Sequence, residues 1–333
     1  MLPIGFASSA ERLLIGDLLY DATLEPPFPL GVPLVRLDHH EDGGWTMLDS
    51  LAKADWDEVF SKDISRLCTS YLDPDAIVAG AYLRYLFRTH DISVLAPENR
   101  MLQHMYSASY WSDHGVPFPN LAPCINAVGE KIELWLRKKY GRLLGFEDRQ
   151  DKSPEADLKR ANVLTKMVDL VEPLLIEQEL PNDVLELNPK VEIEAQTEYF
   201  RQFVRREFEN NQVGVLDVRT SKRKGTPRAY YPLFDQPLVL RRIARDKDME
   251  NHAQYILGVN MLVRGWEQIN LVEIAERIQN SNSDWHPTGR RGIIGASSPL
   301  DIFEIIELLA VFDVDDYRDD FVPWAAYSWP KQK

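Results

Sequence analysis

Short apolar runs ending in acids, separated by stretches of helical period, fill the first third of this chain and constrain its fold more than any other feature. Val32 to Leu37 reads as a strand. Thr46 to Phe60 follows as an amphipathic helix, with Leu48, Leu51, Ala52, Val59 and Phe60 available for one face and Thr46 and Asp49 spaced as a capping box. Arg66 to Leu72 reads as the next strand, and Asp73-Pro74-Asp75 opens a small-residue helix from Ala76 to Phe87. Ile92 to Leu95 reads as a third strand, and Leu102 to Trp111 as a helix running into Ser112-Asp113-His114-Gly115. Strands alternating with helices imply β-α units and a mostly parallel sheet flanked by helices.

The texture changes further on. Ile125 to Tyr140, Pro154 to Glu179 and Gln196 to Asn210 carry helical patterns, and Phe146 to Ser153 reads as a charged loop. Val213 to Val218 and Arg228 to Tyr231 flank a basic turn, as in a β-hairpin, and Tyr255 to Val259 and Gln268 to Leu271 continue the strand signal. Pro181-Asn182-Asp183 and Asn188-Pro189 gather turn formers. The expected organisation is therefore an α/β domain with a helical extension over residues 1–185, and a smaller α/β (α+β) substrate-binding domain over residues 186–333.

Composition narrows the class. The chain has 333 residues, enough for two domains, and its 44% hydrophobic and 10% aromatic content fits an ordered globular protein. A net charge of −14 argues against general nucleic-acid or anionic-membrane binding, because phosphate-rich partners need a positive field. With only two cysteines, no basic apolar leader at Met1 to Gly5 and no run of 18 apolar residues, the expectation is a soluble cytoplasmic protein without a membrane partner.

Asp38-His39-His40 sits at the carboxyl end of one expected strand, and Asp73-Pro74-Asp75 at the carboxyl end of the next. In open α/β sheets ligands collect outside those ends, so the two motifs can face one crevice. Carboxylate oxygens and neutral imidazoles together suit Mn²⁺, Mg²⁺, Fe²⁺ or Zn²⁺. Plainer readings compete: Asp73-Pro74-Asp75 also makes a good helix start, and Asp38-His39-His40 a polar loop. Ser112-Asp113-His114 offers a further carboxylate and imidazole.

Asp38-His39-His40 resembles the signature tripeptide of the DHH phosphoesterase superfamily. Tyr71-Leu72-Asp73-Pro74-Asp75-Ala76-Ile77-Val78-Ala79-Gly80 resembles its Asp-x-Asp motif, and Gly289 to Ser298 resembles the glycine-rich, phosphate-recognising segment of the associated second domain. The usual motif order is reversed here, with Asp73 lying 35 residues after Asp38. The resemblance implies a two-domain, manganese-dependent (or Mg²⁺-dependent) hydrolase of phosphoanhydrides or phosphodiesters. Its substrate would be a small nucleotide, a short single-stranded oligonucleotide or a related phosphate compound, cleaved by a metal-activated water. Asp38, His39, Asp73, Asp75 and Asp113 would be metal ligands, and Asp38 and His40 the catalytic residues, with His40 against the metal-bound phosphate. The alternative is a catalytically degenerate relative that keeps the fold and binds a ligand or partner without turnover.

A second kind of site lies in Asp284 to Gly295. Its glycines let backbone N–H groups approach an anion, and Arg290 and Arg291 can grip phosphate, with His286 and Gly292 beside them. Ser297 or Ser298 is expected to cap a helix starting near Pro299. The cluster Arg219 to Arg228 reads as a hairpin tip able to grip a polyanion, and Asp313 to Asp320 as a solvated acidic face. No Gly-x-Ser-x-Gly, His-Glu-x-x-His or Cys-x-x-Cys motif is present.

Overall fold

The structure is a computed structural model and describes residues 2–22, 24, 27–39, 46–115, 117–118, 121–144, 151–221, 227–243, 253–263, 268–281, 283–290 and 292–318. The chain divides into two compact units, Met1–Pro189 and Lys190–Lys333.

The first unit is built on a four-stranded sheet of β1 (Ile4–Phe6), β2 (Asp17–Tyr20), β3 (Val35–Leu37) and β4 (Arg66–Thr69), in the order β1-β4-β2-β3. Every pairing is parallel: Leu18 lies opposite both Val35 and Leu67, and Gly5 opposite Cys68. All strand carboxyl ends therefore open on one edge. The sheet is flanked by α1 (Met47–Lys53), α2 (Trp56–Phe60), α3 (Pro74–Thr89), α4 (Arg100–His114), α5 (Pro123–Leu144) and α6 (Pro154–Glu177), with the short α7 (Asn182–Leu185) after them.

One expectation for this unit is corrected. Ile92–Leu95 is a 3₁₀ turn rather than a strand, because the Asp91 carboxylate accepts from the Ser93 N–H at 3.0 Å and curls the chain at once. Near Pro181, Asp183 accepts from Trp135 Nε1 at 2.9 Å and pairs with Lys139 at 2.9 Å, which ties α7 to α5.

α3 shows how sequence sets packing. Asp73 is its N-cap and accepts from the Ala76 N–H at 3.0 Å, with Pro74 at the first helical position. Its small residues let it press on the sheet and on α6. A Cβ added at Gly80 would lie 2.7 Å from the Tyr20 hydroxyl and 3.1 Å from Val168.

The second unit begins with α8 (Pro189–Arg201) and carries a mixed sheet of β5 (Val213–Asp217), β6 (Leu238–Ile243), β7 (Ala253–Val259), β8 (Thr288–Arg290) and β9 (Ile293–Ser298), ordered β5-β6-β7-β9-β8. One face packs Val215, Leu240, Tyr255, Leu257, Trp285 and Ile294 against α10 (Leu271–Asn280) and α11 (Ile302–Ala310), which follow the short α9 (Pro227–Tyr230). The expected hairpin of Val213 to Val218 with Arg228 to Tyr231 does not form. Pro227 to Tyr230 is helical, and β5 pairs in parallel with β6. Gln268 to Leu271 is not a strand: only Ile269 bridges, to Arg318, and Asn270 caps α10. The helix expected to Asn210 ends at Arg201, and α11 starts from Asp301, not from Ser297 or Ser298. Ser298 instead donates to Asp284 O at 3.0 Å. Among the described residues, no helix is long and apolar enough to cross a membrane.

Candidate metal centre

Three neighbouring strands deliver acids and an imidazole to the same edge of the first sheet. β2 runs into Asp21, β3 into Asp38 and His39, and β4 leads through Ser70 to Asp73 and Asp75 at the start of α3. Because β4 and β3 both lie beside β2, motifs far apart in the chain become neighbours, and their order along the sequence is immaterial to the site.

Asp21 fastens the three ends together. Its N–H donates to Leu37 O at 3.1 Å, and its own carbonyl accepts from Thr69 Oγ1 at 2.8 Å. To do so it takes a left-handed backbone, φ 44°, a conformation that Asp tolerates better than most side chains.

His39 is the hub, 2% exposed. Its Nδ1 lies 3.7 Å from Asp21 Oδ1 and 3.8 Å from Asp75 Oδ2, while Nε2 lies 3.5 Å from Asp113 Oδ2. One ligand atom each from Asp21, His39 and Asp75 falls within 4.8 Å of the others. Ligands about 2.1 Å from one cation stand roughly 3–3.5 Å apart, so small side-chain adjustments bring these three onto a common ion. Asp75 is steadied by the Met47 N–H, 3.0 Å from Oδ2, in the first turn of α1. That turn is fixed by Asp49, which accepts from the Thr46 N–H at 3.0 Å and from the Tyr106 hydroxyl.

The electrostatics ask for a cation. Burial raises the Asp21 carboxyl well above its ordinary value, and Asp73, Asp75, Asp113 and Asp38 push it further. Asp75 is raised well above its ordinary value, first by burial and then by Asp113 and Asp73, against the Met47 N–H that lowers it. Asp73 is raised by burial and by Asp113, with the Ala76 N–H and Arg137 acting the other way. Buried like charges of this kind are stable only when protonated or shared with a positive ion. Hard oxygen donors around one imidazole fit Mn²⁺ or Mg²⁺, and Cys68, across the sheet among Ala7 and Leu19, offers no thiolate to favour a softer metal.

No protein-family model matches the chain, and no curated protein matches it. Among solved structures the chain is similar to a pGpG-specific phosphodiesterase, PggH, from Vibrio cholerae, at 10% identity and a TM-score of 0.41, over 90% of this chain and 99% of that one. It is also similar to the DHH domain of a protein assigned to a family of ribosomal proteins, at 14% identity and a TM-score of 0.35, over 83% of this chain and 61% of that one.

Of the residues singled out from the sequence, Asp38, His39, Asp73, Asp75 and Asp113 lie in this cluster. Asp38 is buried, 3.5 Å from the guanidinium of Arg36. The helix-start reading of Asp73 also holds, since it caps α3 while facing the other acids. His40 and Arg291 lie outside the described residues. Gly289, Arg290 and Gly292 belong to the β8–β9 hairpin of the second unit, where Gly292 O accepts from the Val259 N–H at 3.0 Å and His286 is exposed. A helix does follow that hairpin, but it starts at Ile302 and is capped by the Asp301 carboxylate rather than by Ser297 or Ser298. Sequence reading missed Asp21. Its signal was there: Leu18-Leu19-Tyr20-Asp21 repeats the pattern of Val35-Arg36-Leu37-Asp38, a short apolar run ending in an acid.

Proposed function

We propose that this chain is a divalent-metal-dependent hydrolase of phosphoester or phosphoanhydride bonds in a small phosphorylated substrate. The observation that carries the reading is the convergence of Asp21, His39 and Asp75 within 4.8 Å, ringed by Asp38, Asp73 and Asp113. Asp21, His39 and Asp75 would hold one cation, with Asp38, Asp73 and Asp113 as the remaining donors and Mn²⁺ or Mg²⁺ the expected ion. When bound there, the ion would supply Lewis acidity toward a phosphoryl oxygen and toward a water. Asp75 is kept oriented by the Met47 N–H, and Asp21 by its ties to Leu37 and Thr69, so these ligands are held before anything binds. Arg36, with a quarter of its side chain exposed beside Asp38, places a guanidinium at the edge of the acids, suited to a phosphate oxygen. His40 is proposed as a phosphate contact; Arg290, Arg291, His286 and Gly292 are proposed, within the second unit, as phosphate-binding residues. A net charge of −14 favours a small anion whose charge the site can neutralise over a long polyanion.

The test is calorimetric titration of the chelator-treated protein with Mn²⁺, followed by hydrolysis assays on dinucleotides and short phosphoanhydrides. Stoichiometric binding that Asp21→Asn and Asp75→Asn both abolish supports one shared site. A folded wild type that binds neither Mn²⁺ nor Mg²⁺ overturns the proposal and leaves a ligand- or partner-binding protein.

A further inference from the structure

Asp113 reaches His39 from the last turn of α4, where the helix runs out of hydrogen bonds. The carbonyls there have no partner further along the helix. Gly115, at φ 72°, closes the helix by donating to Trp111 O at 3.0 Å. The next carbonyl, Ser112 O, receives a side chain from a different helix: Arg137 Nη2 of α5, at 3.1 Å. The same nitrogen lies 3.2 Å from Ser112 Oγ, so both acceptors of the residue before Asp113 are held by one guanidinium.

The rest of Arg137 is fixed as firmly. Nη1 donates to the Tyr140 hydroxyl at 3.2 Å, and Nε donates to the carboxylate of Glu133, which is fully buried one turn back on α5. All three guanidinium nitrogens are thus engaged, and their planar fork has one orientation. The floor beneath is rigid too. Asn126 of α5 accepts from Ser107 Oγ at 2.8 Å, its carbonyl accepts from Trp111 Nε1 at 3.1 Å, and a Cβ on Gly129 would fall 2.3 Å from Ser107 Oγ. A cation at a helix C-terminus is also favoured by the helix dipole.

We propose that Arg137 is a positioning residue of the candidate metal centre: clamping Ser112 sets Asp113 against His39. This rests on the metal-dependent reading above and deepens it, because it names a determinant of ion affinity that touches neither ion nor substrate. A purely structural role would be confined to joining α4 and α5.

The experiment is Mn²⁺ titration of the chelator-treated full chain, by calorimetry and by electron paramagnetic resonance, at a temperature where every variant is folded by circular dichroism. Wild type is measured first, and its failure to bind would remove the underlying reading and this inference together. With wild type binding, R137M is expected to lose about 10–100-fold in affinity, as partners behind metal ligands typically do, with R137K recovering part of the loss. S112A, which keeps the carbonyl and loses the hydroxyl, is expected to lose a few-fold. As control, R84M removes a buried cation of the same unit, bonded to Glu172 at 2.7 Å and Asp169 at 2.6 Å. It should lower the melting temperature while the folded protein keeps its Mn²⁺ affinity. Folded R137M binding Mn²⁺ within about two-fold of wild type, with an unchanged resonance line shape, overturns the proposal. If R137M does not fold, unaltered affinity in both R137K and S112A overturns it equally.

Discussion

Asp75 carries the sharpest test at the level of single residues. Burial and its acidic neighbours make it hold a proton more tightly in the folded chain than in the unfolded one. The metal-free folded state therefore binds more protons, and this group's contribution to stability falls as pH rises from the unfolded carboxylate value of about 4 towards the folded one. Asp75→Asn keeps an acceptor for the Met47 N–H and removes the charge. Without metal, its melting temperature should gain on wild type as the buffer is taken from about pH 5 to about pH 8. With Mn²⁺ the ranking should invert, since the variant loses a ligand and more than about 100-fold in affinity. Thermal melts in chelator and in excess Mn²⁺ across that range check both halves. The cysteines offer a second test. Burial pushes the Cys68 thiol up to about 12, whereas Cys124 is exposed in the first turn of α5. The thiolate is the nucleophile, so iodoacetamide at about pH 8 should label Cys124 alone, with Cys68 reacting only after denaturation, as read by mass spectrometry.

Among the elements, α3 joins fold to site, because its first turn carries Asp73 and Asp75 while its middle rests on Tyr20, the residue before Asp21. Gly80→Ala should cost about 1–3 kcal/mol by denaturant unfolding, despite the better helix propensity of Ala, because the new methyl meets the Tyr20 hydroxyl at 2.7 Å. Mn²⁺ affinity should weaken with it, since relief of the clash displaces β2 at its carboxyl end. β4 and α3 were legible in the sequence because an apolar run, an N-cap and Pro74 all point the same way. β2 was not. Asp17-Leu18-Leu19-Tyr20 is buried along its whole length and shows no alternation to distinguish it from a helix fragment or loop. The expected hairpin of the second unit failed for a related reason. Val213 to Asp217 marks itself as a strand, but its partner is set by tertiary pairing with β6, further along the chain. Local patterns therefore gave most of the candidate ligands through the acids that end apolar runs, and Asp21, which carries the same signal, was overlooked because β2 itself was not recognised as a strand.

At the scale of the molecule, every residue of the candidate metal cluster lies in Met1–Pro189. A polypeptide of residues 1–189 should therefore fold and bind Mn²⁺ with wild-type affinity, as measured by the same titration. Failure to bind in a folded fragment would mean that the centre depends on residues beyond Pro189. The parallel order β1-β4-β2-β3 has one more consequence. A sheet of this kind is read across its strands, like words set in columns, so the site is indifferent to the line on which each word was written. Linear patterns that fix which acid comes first will pass over such a protein. Patterns that ask which apolar runs end in an acid will not, and the same freedom means that new chain ends could be opened in its far-side loops without rewriting the site.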